Sequence, residues 1–208
     1  MHVHIRTKIH DFYSYIERAA VKIGNDVFEL QGGAFTEGLV HSINGDENGD
    51  LPPTFGGDFT FVKKEFKKKV YQIWFDDTHH IQLKIGKFLA VHVNEATSEN
   101  FVTSSGLMGN FESGLKLSRD GEEIQDPNVF AMGWQVGPDD PILLSPKVGS
   151  VQYPEQCKMP STTARSLRKG GITEEKARSI CEGAEELDHC VYDVMATNMA
   201  EVAEDYFD

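Results

Sequence analysis

Three observations predict a mainly β fold, an antiparallel β-sandwich or meander with a small C-terminal α-helical appendage. Apolar and polar residues alternate with period two over much of residues 1–136 of the 208-residue chain. Short polar turns separate the alternating runs. After residue 160 the pattern changes to capped segments with helical spacing. A doubly wound parallel fold is excluded in this reading, because no helical signal interrupts the first 136 residues.

The elements follow in order. Val3, Ile5, Thr7 and Ile9 alternate with His4, Arg6 and Lys8, as in a half-buried strand. Ala19-Val21-Ile23, the turn Gly24-Asn25-Asp26 and Val27–Leu30 read as a hairpin, since Asn and Asp bond readily to nearby backbone in turns. Phe59–Val62 and Val70–Phe75 are strands on either side of a run holding five lysines, Lys63 to Lys69. Asp76–His80 is the next turn, followed by Ile81, Leu83 and Ile85 in alternation and then by Phe88–Val93. Such short antiparallel runs suit a sandwich.

Residues 137–160 hold Pro138, Pro141, Pro146, Pro154 and Pro160. Proline lacks the amide proton a sheet ladder needs, so this stretch reads as a linker. It divides a β domain, 1–136, from an acidic helical module, 161–208. Thr173 with Glu174 and Glu175 after it is a helix start, with Ile172, Ala177, Ile180, Cys181 and Ala184 as its buried stripe. Leu187–Ala196 is a second helix and Asn198–Tyr206 a third.

Composition narrows the function. A net charge of −13 argues against nucleic acid as a partner, because such binding needs basic surface. Eleven acids lie between Thr173 and Asp208 against Lys176 and Arg178, which reads as a solvated helical face. No run of apolar residues is long enough to span a membrane, and no signal-peptide core follows Met1. The cysteines are Cys157, Cys181 and Cys190, an odd number, so at least one is free or pairs outside the chain. Cys181 and Cys190 sit where a bridge across two helices is conceivable, but spacing alone does not establish it.

Four groups of residues are candidates for chemistry. The Gly106–Asp126 loop combines glycine turns with Asn110, Glu112, Asp120, Glu122, Glu123 and Asp126, oxygen donors of the kind calcium needs six to eight of. Asp46, Asn48 and Asp50 have the spacing that opens an EF-hand loop, but Leu51 and Gly57 stand where its glycine and glutamate belong, so an exposed acidic loop is the better reading. His2 and His4 share one strand face, where zinc is the functional alternative to ordinary surface histidines. Asp76, Asp77, His79 and His80 share one turn, where a metal is the functional alternative to an ordinary polar hairpin turn and the paired carboxylates would need a cleft for acid–base work; the chain has no Gly-x-Ser-x-Gly elbow.

Gly106-Leu107-Met108-Gly109-Asn110-Phe111, the acidic stretch after it, and Asp126-Pro-Asn-Val-Phe-Ala-Met-Gly-Trp-Gln-Val136 resemble the closing signature of a von Willebrand factor type D domain. There a Gly-Leu-Cys-Gly-Asn-Phe turn leads to a Phe-Gly-x-x-Trp-x-Val strand. Val3–Leu30 resembles the middle strands of that family, and the tail around Cys181 and Cys190 resembles its cysteine-rich helical module. The resemblance implies a calcium site drawing on Asn110, Glu112 and Asp120, and cross-links through Cys157, Cys181 and Cys190. Met108 and Met195 replace expected cysteines, filling similar apolar volume without cross-linking.

The family's opening strands are missing, so the resemblance also implies a fragment of a longer secreted parent, with an unpaired sheet edge near residue 1. The function it implies is a non-enzymatic extracellular adhesion, matrix or multimer-assembly module. Its partners would be other extracellular proteins or copies of itself. The rival is a secreted glycan-binding β-sandwich or hydrolase using the Asp76–His80 turn.

Overall fold

The computed structural model describes residues 1–10, 13–33, 38–65, 69–94, 101–137, 139–145 and 171–207. Alternation does produce a mainly β fold of two antiparallel five-stranded sheets. The first holds β1 (His2–His10), β2 (Tyr13–Ile23), β3 (Asp26–Gln31), β4 (Val40–Ile43) and β5 (Asp46–Glu47) in chain order. The second holds β6 (Thr54–Phe55), β7 (Phe59–Glu65), β8 (Lys69–Trp74), β9 (His80–Ile85) and β10 (Leu89–Asn94), again as a meander. Gly24 opens the β2–β3 turn with φ +59°, the left-handed backbone a tight two-residue hairpin requires.

Register decides which side chains are buried. In the first sheet Val3, Val21, Phe28 and Ile43 align across four strands, and Ile5, Ala19 and Leu30 form the next row of the same face. In the second, Phe61, Ile73 and Ile81 align, with Tyr71 beside Leu83. These two faces meet in one core of Ala19, Val21, Ile23, Phe28, Leu30, Phe55, Phe61, Tyr71, Ile73, Ile81, Leu83 and Leu89. Phe28 bridges the layers, its ring 5.0 Å from Phe61 and 5.1 Å from Tyr71. Burying a side chain of this size contributes roughly 1.5–3 kcal/mol, and each aromatic pair about 0.5–1.5 kcal/mol more.

At the corner of the layers Asp26 accepts from Asn44 Nδ2 at 3.0 Å and from the Gly56 amide at 2.8 Å. The bond from Asn44, then that from Gly56, holds the Asp26 carboxyl below its ordinary pKa. Gly56 (φ +65°) has no room for a side chain, since a Cβ would come within 2.5 Å of Ile23 Cγ2.

One expected strand is a helix. Phe130–Val136 was to close the sheet, but α1 runs over Pro127–Gly133 and ends at Trp134. Local chemistry explains this. Asp126 caps the helix by accepting from the amides of Asn128 (2.7 Å) and Val129 (3.1 Å), and Pro127 fits the first turn because its missing N–H is not needed there. A helix therefore does interrupt the first 136 residues, against the expectation from the alternation pattern.

The tail folds as expected into α2 (Glu174–Ile180), capped by Thr173, α3 (Leu187–Thr197) and a 3-10 helix, Ala200–Tyr206. A disulfide joins Cys181 to Cys190, with Cα atoms 5.9 Å apart, inside a second apolar cluster of Ala177, Val191, Val194, Val202 and Ala203. Phe88, from the β9–β10 turn, packs against this cluster. The Asp205 carboxylate accepts from the amides of Lys87 (3.2 Å) and Phe88 (3.3 Å), so the helices are tied to that turn. Cys157 and residues 146–170 lie outside the described residues.

Gly86 tests this tie. A Cβ there would stand 1.7 Å from Asp205 Oδ1, so Gly86→Ala must push the carboxylate off the two amides. The expected loss is about 1–3 kcal/mol of unfolding free energy, with faster hydrogen exchange at Phe88. Unchanged stability and exchange would show that the tie carries no weight.

Candidate functional site

The glycine-rich loop after residue 101 is held by its own backbone. Gly109 (φ +88°) donates to the Gly106 carbonyl at 2.8 Å, and Asn110 donates to the Leu115 carbonyl at 2.9 Å. A chain of rings, Phe59–Phe75–Phe101–Phe111, with centroids 5.2–6.0 Å apart, fastens the loop to the end of the second sheet. Met108 is 87 % exposed, so it does not fill the volume of a buried cysteine; Met195 does pack in the helical cluster.

The three calcium candidates have different surroundings. Asn110 Oδ1 accepts from the Ser113 amide (2.9 Å) and hydroxyl (2.8 Å), closing a turn. Glu112 and Asp120 are exposed. Asp120 sits at the tip of a small hairpin, where its amide donates to Ser118 Oγ and Gly121 takes φ +86°. Arg119 turns away from this loop to bond both Asp140 oxygens, at 3.1 and 2.9 Å, and the Gln135 carbonyl. The Trp134 indole N–H donates to the Leu117 carbonyl at 2.9 Å, so the tryptophan of the expected strand pins the hairpin instead. Among the described residues no group of three His, Cys, Asp or Glu is placed to hold a metal ion.

The Asp76–His80 turn is an exposed, self-satisfied cap. Asp76 Oδ1 accepts from the amides of Thr78 and His79, both at 2.8 Å, and Oδ2 meets His79 Nδ1. The bond from the His79 ring, then that from its amide, drives the Asp76 carboxyl well below the usual carboxylate range. His80 leaves the turn to begin β9.

Two further histidines are engaged as well. His4 Nδ1 accepts from the Leu143 amide at 3.4 Å, and burial, followed by the proximity of His2, lowers its pKa. His41 Nε2 faces the Gly49 carbonyl at 3.1 Å, within the β4–β5 hairpin that occupies the proposed EF-hand stretch. Segment 139–145 crosses the outer face of the first sheet, where the Ser145 amide donates to Glu29, itself paired with Arg18 at 2.8 Å. Arg18, Glu29, Ser145 and Glu47 line a shallow cleft there.

Sequence reasoning missed the outer face of the second sheet. Opposite the core, Thr60, Trp74, His80 and Asn94 share one cross-strand row, and Gln72, Gln82 and His92 the next. The Trp74 and His80 rings stack 4.0 Å apart with their planes 22° from parallel. Gln72 binds three neighbours: its Oε1 accepts from Trp74 Nε1 (3.3 Å), and its Nε2 donates to Gln82 Oε1 (2.8 Å) and to His80 Nε2 (3.3 Å). The available signal was that positions 72, 74, 80 and 82 alternate with core residues yet carry no charge.

Comparison with known protein families finds no match, and no curated protein matches the chain. No helix among the described residues is long and apolar enough to cross a membrane.

Two measurements follow. Asp76 gains stability from ionisation, because its folded pKa is depressed. That contribution is complete above the ordinary carboxylate pKa and is lost as pH falls below it. Carbon-detected titration should place Asp76 as the most acidic carboxyl of the turn, and Asp76→Asn should flatten the acid limb of stability; an ordinary Asp76 titration contradicts the turn geometry. Calcium at Asn110 must displace Ser113. The type D reading therefore predicts a higher thermal midpoint in calcium than in chelator, lost in Glu112→Ala, and loss of Ser113 amide protection. Equal midpoints remove calcium from that reading.

Proposed function

We propose that this chain is a non-enzymatic extracellular adhesion or assembly module that joins other chains through the edge of its first sheet. The observation that carries the proposal is β1, nine residues long and, among the described residues, paired on one side only, with β2.

The ladder geometry says which groups face outward. In a two-residue hairpin the flanking pair, here Ile23 and Asp26, exchanges both hydrogen bonds. Alternate residues Lys22, Ala20 and Arg18 then bond to β1, at His2, His4 and Arg6. Val3 and Ile5 therefore turn their N–H and C=O groups to the open edge. No hydrogen bond engages them there among the described residues. Such an edge is a template for an added strand, with backbone bonds for affinity and alternate side chains for selection. Ile5 adds exposed apolar surface, and Glu17, at the β2 bulge, offsets Arg6 (3.8 Å) and Lys8 (3.3 Å).

Further support comes from chemistry tied up in structure. The acid–histidine turn is exposed and bonded within itself, which favours a structural role over a hydrolytic one. The buried Cys181–Cys190 bridge suits an oxidising, extracellular setting. The type D resemblance points to the same function, but the helix at Pro127–Gly133 weighs against the family assignment, so the proposal rests on the edge.

Ile5→Pro removes an outward amide and spares the β1–β2 ladder. Sedimentation velocity over a concentration series, and binding to extended peptides in separate runs, should show association that falls about fivefold or more in the variant, at roughly 1 kcal/mol per lost bond. A wild-type chain that stays monomeric and binds no strand would overturn the proposal.

A further inference from the structure

We infer that the outer face of the second sheet is a binding site for a neutral glycan, with Trp74 and His80 as its apolar platform and Gln82 and Asn94 as its hydrogen-bonding rim. The inference is independent of the β1 edge, which belongs to the other sheet.

Two adjacent rows of this face are uncharged, and the row beyond them aligns Lys64, Val70, Lys84 and Ala90. Thr60, Trp74, His80, Asn94, Gln72, Gln82 and His92 occupy two adjacent rows without a carboxylate or ammonium group, in a chain of net charge −13. An array of amides, imidazole, indole and hydroxyl matches a ligand with many hydroxyls and no charge. Within these two rows no ammonium or guanidinium group stands ready to pair with a sulfate or a phosphate. Aromatic rings complete the match, because the C–H face of a pyranose is apolar and its rim is polar, as are the body and tip of Trp.

The array is also fixed in advance. Gln72 is buried and uses its oxygen and both amide hydrogens on Trp74, Gln82 and His80, which sets the indole in place. Asn94 Nδ2 lies 3.0 Å from His80 Nε2, so that nitrogen accepts from two amides. The network then ends in unused groups. The Gln82 amide nitrogen donates to no described residue, and Asn94 Oδ1 accepts from none. Both side chains keep part of their surface exposed, as do Trp74 and His80, and Thr60 and His92 beside them are exposed. A preset donor and acceptor beside an aromatic pair lower the ordering cost of binding.

The chain has two tryptophans, Trp74 on this face and Trp134 bonded to Leu117, which gives an internal control. The ¹⁵N-labelled full chain is titrated with cellohexaose, chitopentaose and mannopentaose, and with a heparin hexasaccharide for comparison. At least one neutral oligosaccharide should move the Trp74 indole signal and the Gln82 and Asn94 side-chain amides while Trp134 stays still. The double variant Gln82→Ala/Asn94→Ala should bind it about tenfold more weakly with an unchanged far-UV spectrum. Trp74→Ala should abolish the response. No shift with any neutral sugar, shifts that survive the double variant, or a heparin response equal to the neutral one would each overturn the inference. None of these outcomes bears on association through β1.

Discussion

The contact between Phe28 and the pair Phe61–Tyr71 is the constraint on which the β domain depends. Each sheet alone is a meander with one apolar face, and neither face is stable against water. Phe28 sits at the centre of the first sheet and reaches two strands of the second. Its row neighbours Val21 and Ile43 then have to face the same way, and Glu29 and Ser42 the other. Register follows, because a slip of one residue would turn every core side chain outward.

Once register is set, the polar surface is divided. On the first sheet's outer face Arg18 and Glu29 pair beneath segment 139–145, and His4 accepts from Leu143. On the second sheet's outer face the neutral amide and aromatic rows stand together. At the ends, Asp26, Asp76 and Asn110 each spend their oxygens on turn amides or side chains. Asp76 and Asn110, which look like an acid–base group and a ligand in the sequence, therefore serve as turn closures. Among the described residues no hydrogen bond engages the outward backbone of Val3 and Ile5, and Gln82 and Asn94 each keep one side-chain group open.

Much of the fold was legible in the sequence. The alternation of Val3–Ile9 and Ile81–Ile85, the Gly24-Asn25 turn and the Thr173 cap each carried a local rule, and each element formed. β4, β5 and β6 were not foreseen, because two to four residues hold too little pattern to distinguish a strand from a loop. The α1 helix was legible, since Asp126-Pro127 is a helix start and Gly133 stands near its end; the resemblance to a tryptophan strand outweighed that local signal. The Cys181–Cys190 bridge depended on a distance that spacing does not give. The Trp74–Gln82 face was hidden for a similar reason, because it exists only after three strands align.

Equilibrium unfolding of Phe28→Ala, followed by both far-UV and tryptophan signals, tests the shared core most directly. A loss of about 3–5 kcal/mol with the two signals falling together is predicted, as for a large aromatic removed from a packed interior. A loss below about 1 kcal/mol, or separate transitions for the two signals, would contradict an interior common to both sheets.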